Sequence, residues 1–139
     1  MAFQHIEVKK IAGALGAEVF GVDLSKPLSN AEAEEVHQAY LDNLVVFFPG
    51  QSLSPEALIQ VADMFGVPNE YPFAKGMYGY PKITPLVKNA EDKVNFGGGA
   101  FHSDTTYLEV PPVATMLYAV ETPPVGGDTV FANMYMAYE

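Results

Sequence analysis

The sequence predicts a mainly β domain with flanking α-helices. Strand-like runs broken by turn residues occupy both ends of the chain. Two amphipathic segments with helix-start signals lie between them. Hydrophobic residues make up 49% of the 139, a globular composition large enough for one domain with a moderate core.

The elements follow in order. IEVKKI, the turn-like AGALGA and then EVFGVDL read as a hairpin. Ser25-Lys26-Pro27 breaks it, and a helix is expected from Ser29, because Ser29 and Glu32 have capping-box spacing that satisfies free N–H groups at a helix start. Ala33, Val36, Tyr40 and Leu44 recur at helical spacing, with Glu32, Glu34, Glu35 and Gln38 facing outward. LVVFF at 44–48 is apolar on both sides and reads as a buried central strand, ended by Pro49-Gly50. Ser54-Pro55-Glu56 opens a second helix with Leu58, Val61, Ala62 and Phe65 inward, and Gly66 and Pro68 close it.

Residues 67–100 are irregular and aromatic. They suit a binding loop or a packed surface loop, with a short strand at Ile83–Val87 and a flexible NFGGG at 95–99. Beyond them the spacing predicts three strands, His102–Leu108, Val113–Val120 and Thr129–Ala132, and then a helix capped by Asn133 that the chain leaves about one turn long. That ending reads as a cut through a longer domain.

Composition narrows the function. The formal net charge of −10 argues against nucleic acid. No apolar run is long enough for a bilayer, and MAFQHIEVKK lacks the apolar core of a signal peptide, so the sequence points to a cytoplasmic protein without membrane contact. Without cysteine there are no disulfides, thiolate metal sites or cysteine nucleophiles. All seven basic residues are lysines, so an anionic ligand would meet no arginine fork in this chain.

The chemistry gathers in FHSDTTYLEVPP, residues 101–112. On a strand, His102 and Asp104 at i and i+2 point to one face, with Thr106 and Leu108. An imidazole nitrogen and a carboxylate oxygen held together supply two thirds of the 2-His-1-carboxylate triad that binds iron(II). Taken alone, His-x-Asp equally suits a surface pair or a hydrogen-bonded turn.

The wider pattern narrows these readings. An aromatic residue, His-Ser-Asp, a strand, Pro-Pro, an apolar strand, Gly-Gly-Asp-Thr and an aromatic strand follow one another through residues 101–139, and GAEVFGVDLSKPLS and VVFFPGQSLSPEAL precede them. This order closely resembles the taurine dioxygenase (TauD/TfdA) family of Fe(II)- and 2-oxoglutarate-dependent dioxygenases. The resemblance implies an incomplete double-stranded β-helix, a jelly-roll or cupin-like fold, over residues 1–139, as the N-terminal part of a single longer domain with exposed sheet edges. It implies His102 and Asp104 as iron ligands and Thr129 as a partner of the 2-oxoglutarate carboxylate, although turn chemistry alone explains Gly126 and Gly127. Phe101 and Tyr107 are expected as wall or core. A second histidine and an arginine, which complete the family's site, are expected beyond Glu139, and neither His5 nor His37 substitutes for that histidine.

The implied activity is hydroxylation of a small organic acid by O2, with release of succinate and CO2 and with the fragment itself inactive. Homo-oligomerisation is left open. Taurine-type members carry a substrate-binding histidine where this chain has Tyr71 and an asparagine where it has Gly98. Tyr71 is therefore a candidate substrate residue, with a packing role as the alternative, and taurine itself is disfavoured. Two other functions fit the residues: a cupin-like metal- or small-ligand-binding domain without 2-oxoglutarate chemistry, and a non-catalytic interaction module.

Overall fold

The structure, a computed structural model, describes residues 3–89, 91–93 and 100–139. It opens with a hairpin, β1 (Glu7–Lys10) and β2 (Ala17–Phe20), antiparallel with Val8 opposite Val19. Residues Ala17 and Val19 of β2 are buried while Glu18 and Phe20 are half-exposed, the alternation of a strand with one face on the core. A third strand, β3 (Val46–Phe47), adds in parallel to the other edge of β2.

Helix α1 (Asn30–Asn43) and helix α2 (Pro55–Asp63) start where local chemistry dictates. The Ser29 hydroxyl accepts from Glu32 N and the Glu32 carboxylate accepts from Ser29 N, a complete capping box. Ser54 accepts from Ala57 N with Pro55 in the first turn. Val36 and Ala39 of α1 and Val61 of α2 meet Ile6, Val19, Val22 and Leu24 in the core. Buried Asn43 is satisfied through its Nδ2, which donates to Ala39 O.

Two side chains complete the backbone bonding of this layer. Glu35, expected to face solvent, instead accepts from Gln4 N at 2.8 Å, His5 N at 2.9 Å and Ile6 N at 3.2 Å. The Gln51 amide accepts from Leu24 N and donates to Val22 O, as a neighbouring strand would.

The strand expected at 44–48 is shorter than predicted and lies at the sheet edge. Leu44 ends α1 with φ at 66°, so only Val46 and Phe47 extend the ladder. Residues 83–87 form no strand, and their surroundings are held by Met77 N to Ile83 O and by a single Met77–Tyr80 bridge. The NFGGG stretch and Gly98 lie outside the described residues.

The largest correction concerns residues 101–132, where the three expected strands are absent. A strand exists through a ladder of hydrogen bonds to a neighbour, and no such backbone ladder joins these segments to another among the described residues. Val113 and Val120, apolar on a segment meant to be covered on both faces, are 68% and 88% exposed. All buried hydrophobic residues among those described lie between Ile6 and Val61. Among the described residues, a small mixed sheet with flanking helices forms, as the expected fold class has it in part, while helical positions outnumber strand positions and no double-stranded β-helix is seen.

Three long-range hydrogen bonds tie the C-terminal segment to the core. Tyr40 Oη donates to Val113 O, Leu53 N donates to Tyr118 Oη, and Asn133 Nδ2 donates to Ala14 O. Asn133 also caps α3 (Met134–Tyr138), as expected, accepting from Tyr135 N and Met136 N.

Candidate metal centre

His102 and Asp104 converge without a strand. Thr105 takes a positive φ of 47°, costly for a β-branched residue, and Leu108 N closes a turn onto Thr105 O at 3.1 Å. The chain therefore bends straight after the pair. The two side chains still meet, with His102 Nε2 3.3 Å from Asp104 Oδ1. The two side chains expected to share a strand face thus come together on a turn instead.

The neighbours of each side chain fix which atoms face each other. His102 Nδ1 lies 3.0 Å from Ala100 O. A carbonyl only accepts, so this hydrogen bond puts the proton on Nδ1 and aims the Nε2 lone pair at Asp104. Thr115 Oγ1 donates to Asp104 Oδ2 at 2.8 Å and leaves Oδ1 as the oxygen that faces His102. A lone pair and a carboxylate oxygen at this separation repel unless a proton or a cation sits between them.

The spacing suits a metal. Two bonds of about 2.1 Å at a right angle place their donor atoms roughly 3 Å apart. A mixed nitrogen and oxygen pair of this kind matches a first-row divalent ion better than calcium or magnesium. Both side chains are about half exposed, so the face opposite the protein is open to further ligands. No cluster of three or more metal-binding side chains occurs among the described residues. His37 is instead 5.9 Å, ring to ring, from Phe65.

The other expected site residues lie apart from this pair. Thr129 follows the Gly126–Gly127 turn, where both glycines have positive φ as the turn requires, and it is exposed. No hydrogen bond joins it to His102 or Asp104 among the described residues. Phe101 and Tyr107 are 71% and 64% exposed, so neither is core. Tyr71 packs edge-on against Phe73, with ring centroids 5.6 Å apart, and Phe73 lies 6.2 Å from Tyr107. Sequence reasoning missed Thr115. It is separated from Asp104 by the Pro-Pro turn, and no local signal couples the two.

Among the described residues, no helix is long and apolar enough to cross a membrane.

Comparison with known proteins covers nearly the same span as the motif. The family model for the taurine catabolism dioxygenase TauD, TfdA family matches residues 7–139. An alkylsulfatase of Acinetobacter baylyi is 31% identical over 98% of this chain and 42% of its own length. An alpha-ketoglutarate-dependent sulfate ester dioxygenase of Pseudomonas putida is 33% identical over 97% of this chain and 44% of its own length. The chain thus spans less than half the length of these relatives. A taurine dioxygenase structure from Burkholderia xenovorans superposes with a TM-score of 0.55 at 31% identity, over 61% of this chain and 32% of that one. The sequence likeness covers more of the chain than the structural likeness does. On the matched residues and the full order of motifs, the chain belongs to the TauD/TfdA family.

Proposed function

We propose that this chain is the N-terminal portion of an iron(II)- and 2-oxoglutarate-dependent dioxygenase that hydroxylates a small organic acid, with release of succinate and CO2. The observation that supports it best is the approach of His102 Nε2 to Asp104 Oδ1 at 3.3 Å, in a chain of this family. In this reading both atoms bind iron(II), the Ala100 carbonyl fixes the imidazole tautomer, and Thr115 orients the carboxylate. Bound iron, with 2-oxoglutarate and O2, supplies the oxidising chemistry.

Thr129 is proposed to hydrogen-bond the 2-oxoglutarate carboxylate and Tyr71 to contact the substrate. The third iron ligand and the arginine that pairs with 2-oxoglutarate are assigned to polypeptide outside these residues, which would also supply the strands that complete a jelly roll. The short span relative to the relatives and the exposed apolar residues of 101–138 support that assignment. Relatives whose names specify sulfate esters, phenoxypropionate and 2,4-dichlorophenoxyacetate support a sulfated or ether-containing organic acid as substrate.

The deciding experiment measures succinate from 2-oxoglutarate under O2, with iron(II), in the protein at its natural length and in its His102→Ala variant. Formation that depends on His102 is expected. Iron binding without any succinate would reject the reading. Residues 1–139 alone are expected to give none.

A further inference from the structure

We propose that Tyr40 and Tyr118 are positioning residues for the Asp104 carboxylate. Their hydroxyls tie the two ends of residues 113–118 to the N-terminal layer, and these ties hold Thr115 against Asp104. This deepens the iron-site reading above and rests on it.

Three hydrogen bonds meet on this short segment. At its start, Tyr40 Oη donates to Val113 O at 3.0 Å. In its middle, Thr115 Oγ1 donates to Asp104 Oδ2 at 2.8 Å. At its end, Tyr118 Oη accepts from Leu53 N at 3.1 Å. Thr115 thus follows one tie by two residues and precedes the other by three, within about 7 Å and 11 Å of extended chain.

Both ties start from well-seated groups. Tyr40 is half-buried on α1, and its ring packs edge-on against Phe65 with centroids 5.5 Å apart at 82°. Phe65 and Leu53 both pack on the hydrophobic core. The N–H of Leu53 is partly buried, and the Tyr118 hydroxyl is its acceptor, so losing that hydroxyl leaves a donor unpaired. A Cβ added at Gly66, just past α2, would lie 3.4 Å from Val113 Cγ2, so the start of the segment also touches that chain. On the Asp104 side, Pro111 and Pro112 restrict the backbone that leads into the segment.

The need for the ties follows from tolerances. A hydrogen bond is lost when its donor and acceptor part by about 0.5 Å, whereas an untied surface segment moves by about 1 Å. Thr115 and Asp104 are both exposed, so burial does not keep them in register. The two tyrosines carry that register out from the core.

The test uses the protein at its natural length and anaerobic calorimetric titration with iron(II). Tyr40→Phe and Tyr118→Phe keep the rings and remove only the hydroxyls, and each should weaken binding about threefold. In a Thr115→Val background neither should weaken it further, because the ties act through Thr115. The ligand-field bands of bound iron(II) should shift in both tyrosine variants toward those of Thr115→Val. Asn133→Ser removes the hydrogen bond to Ala14 O, which ties the chain outside residues 113–118, and keeps a helix-capping side chain, so it should bind as the parent does. Parent-like affinity in either tyrosine variant, or the same loss with and without Thr115, would overturn the positioning role. His102-dependent iron binding that ignores both tyrosines rejects the ties alone, whereas binding in the parent that does not depend on His102 rejects the iron site beneath them.

Discussion

Thr115 donates a 2.8 Å hydrogen bond to Asp104 Oδ2 across the Pro-Pro turn, leaving Oδ1 as the oxygen nearest His102. The carboxylate is thereby oriented by a residue that no pattern of metal-binding types would select. Groups that orient a ligand in this way typically contribute 10- to 100-fold to metal affinity. Thr115→Val should therefore weaken iron(II) binding by about tenfold, and Thr115→Ser should restore most of it. Anaerobic calorimetric titration of the natural-length protein measures both. Equal affinity in Thr115→Val would mean that Asp104 needs no such support.

Core and C-terminal segment should answer differently to the same small truncation. Val36 is fully buried, and Val36→Ala should cost about 2 kcal/mol in urea unfolding. Val120 is 88% exposed in this chain, so Val120→Ala in residues 1–139 should change stability by less than about 0.5 kcal/mol. If strands outside these residues cover Val120, the same substitution in the natural-length protein should cost about 1–2 kcal/mol. A cost that stays near zero there would reject the proposed cover.

The legible parts of this fold were those decided within a few residues. Ser29 with Glu32, Ser54 with Pro55, and Asn133 each announce a helix start, and each helix begins there. The His102–Asp104 pair was legible because close spacing keeps two side chains near each other on a strand and, as it proved, in a turn. The strands after residue 101 were not. Apolar residues on both sides state a preference for burial, while the ladder needs a partner that the local sequence does not contain. The roles of Glu35, Gln51 and Thr115 were hidden for a related reason, since each serves atoms far away in sequence.

Acid should loosen the N-terminal layer. Asp23 is pulled down to about 2 by the hydrogen bond from Lys26 and then by those from Ser25. Burial opposes the charge on Glu35, but the N–H groups of Gln4, His5 and Ile6 outweigh it and lower its pKa. The hydroxyl and N–H of Ser29 lower Glu32. Each folded-state pKa lies below the unfolded one, so the stability these groups contribute is present above the unfolded values and is lost as pH falls through the folded ones. The unfolding midpoint should hold from neutrality to about pH 5 and fall below about pH 4.5. Glu35→Gln should make that fall shallower. A midpoint that rises on acidification would contradict the sign.

Gly76 provides a local test of the loop between α2 and the turn that carries His102 and Asp104. A Cβ at Gly76 would sit 2.1 Å from Pro81 O, a backbone atom that cannot swing aside. The loop is otherwise closed by Met77 N to Ile83 O at 2.7 Å and Ile83 N to Tyr80 O at 2.9 Å, and Tyr80 Oη donates to Glu56 on α2. Gly76→Ala must therefore open the loop and release Tyr80. The core contains no residue of this loop, so global stability should move by less than about 0.5 kcal/mol, whereas local opening becomes easier. Tryptic cleavage after Lys75 and Lys82 should accelerate by about tenfold, because proteolysis tracks the population of the open form. Gly79 has open space around it and φ at 81°, so Gly79→Asn should leave cleavage close to its original rate. Equal cleavage of Gly76→Ala and the parent would show that residues 76–83 are not closed in solution.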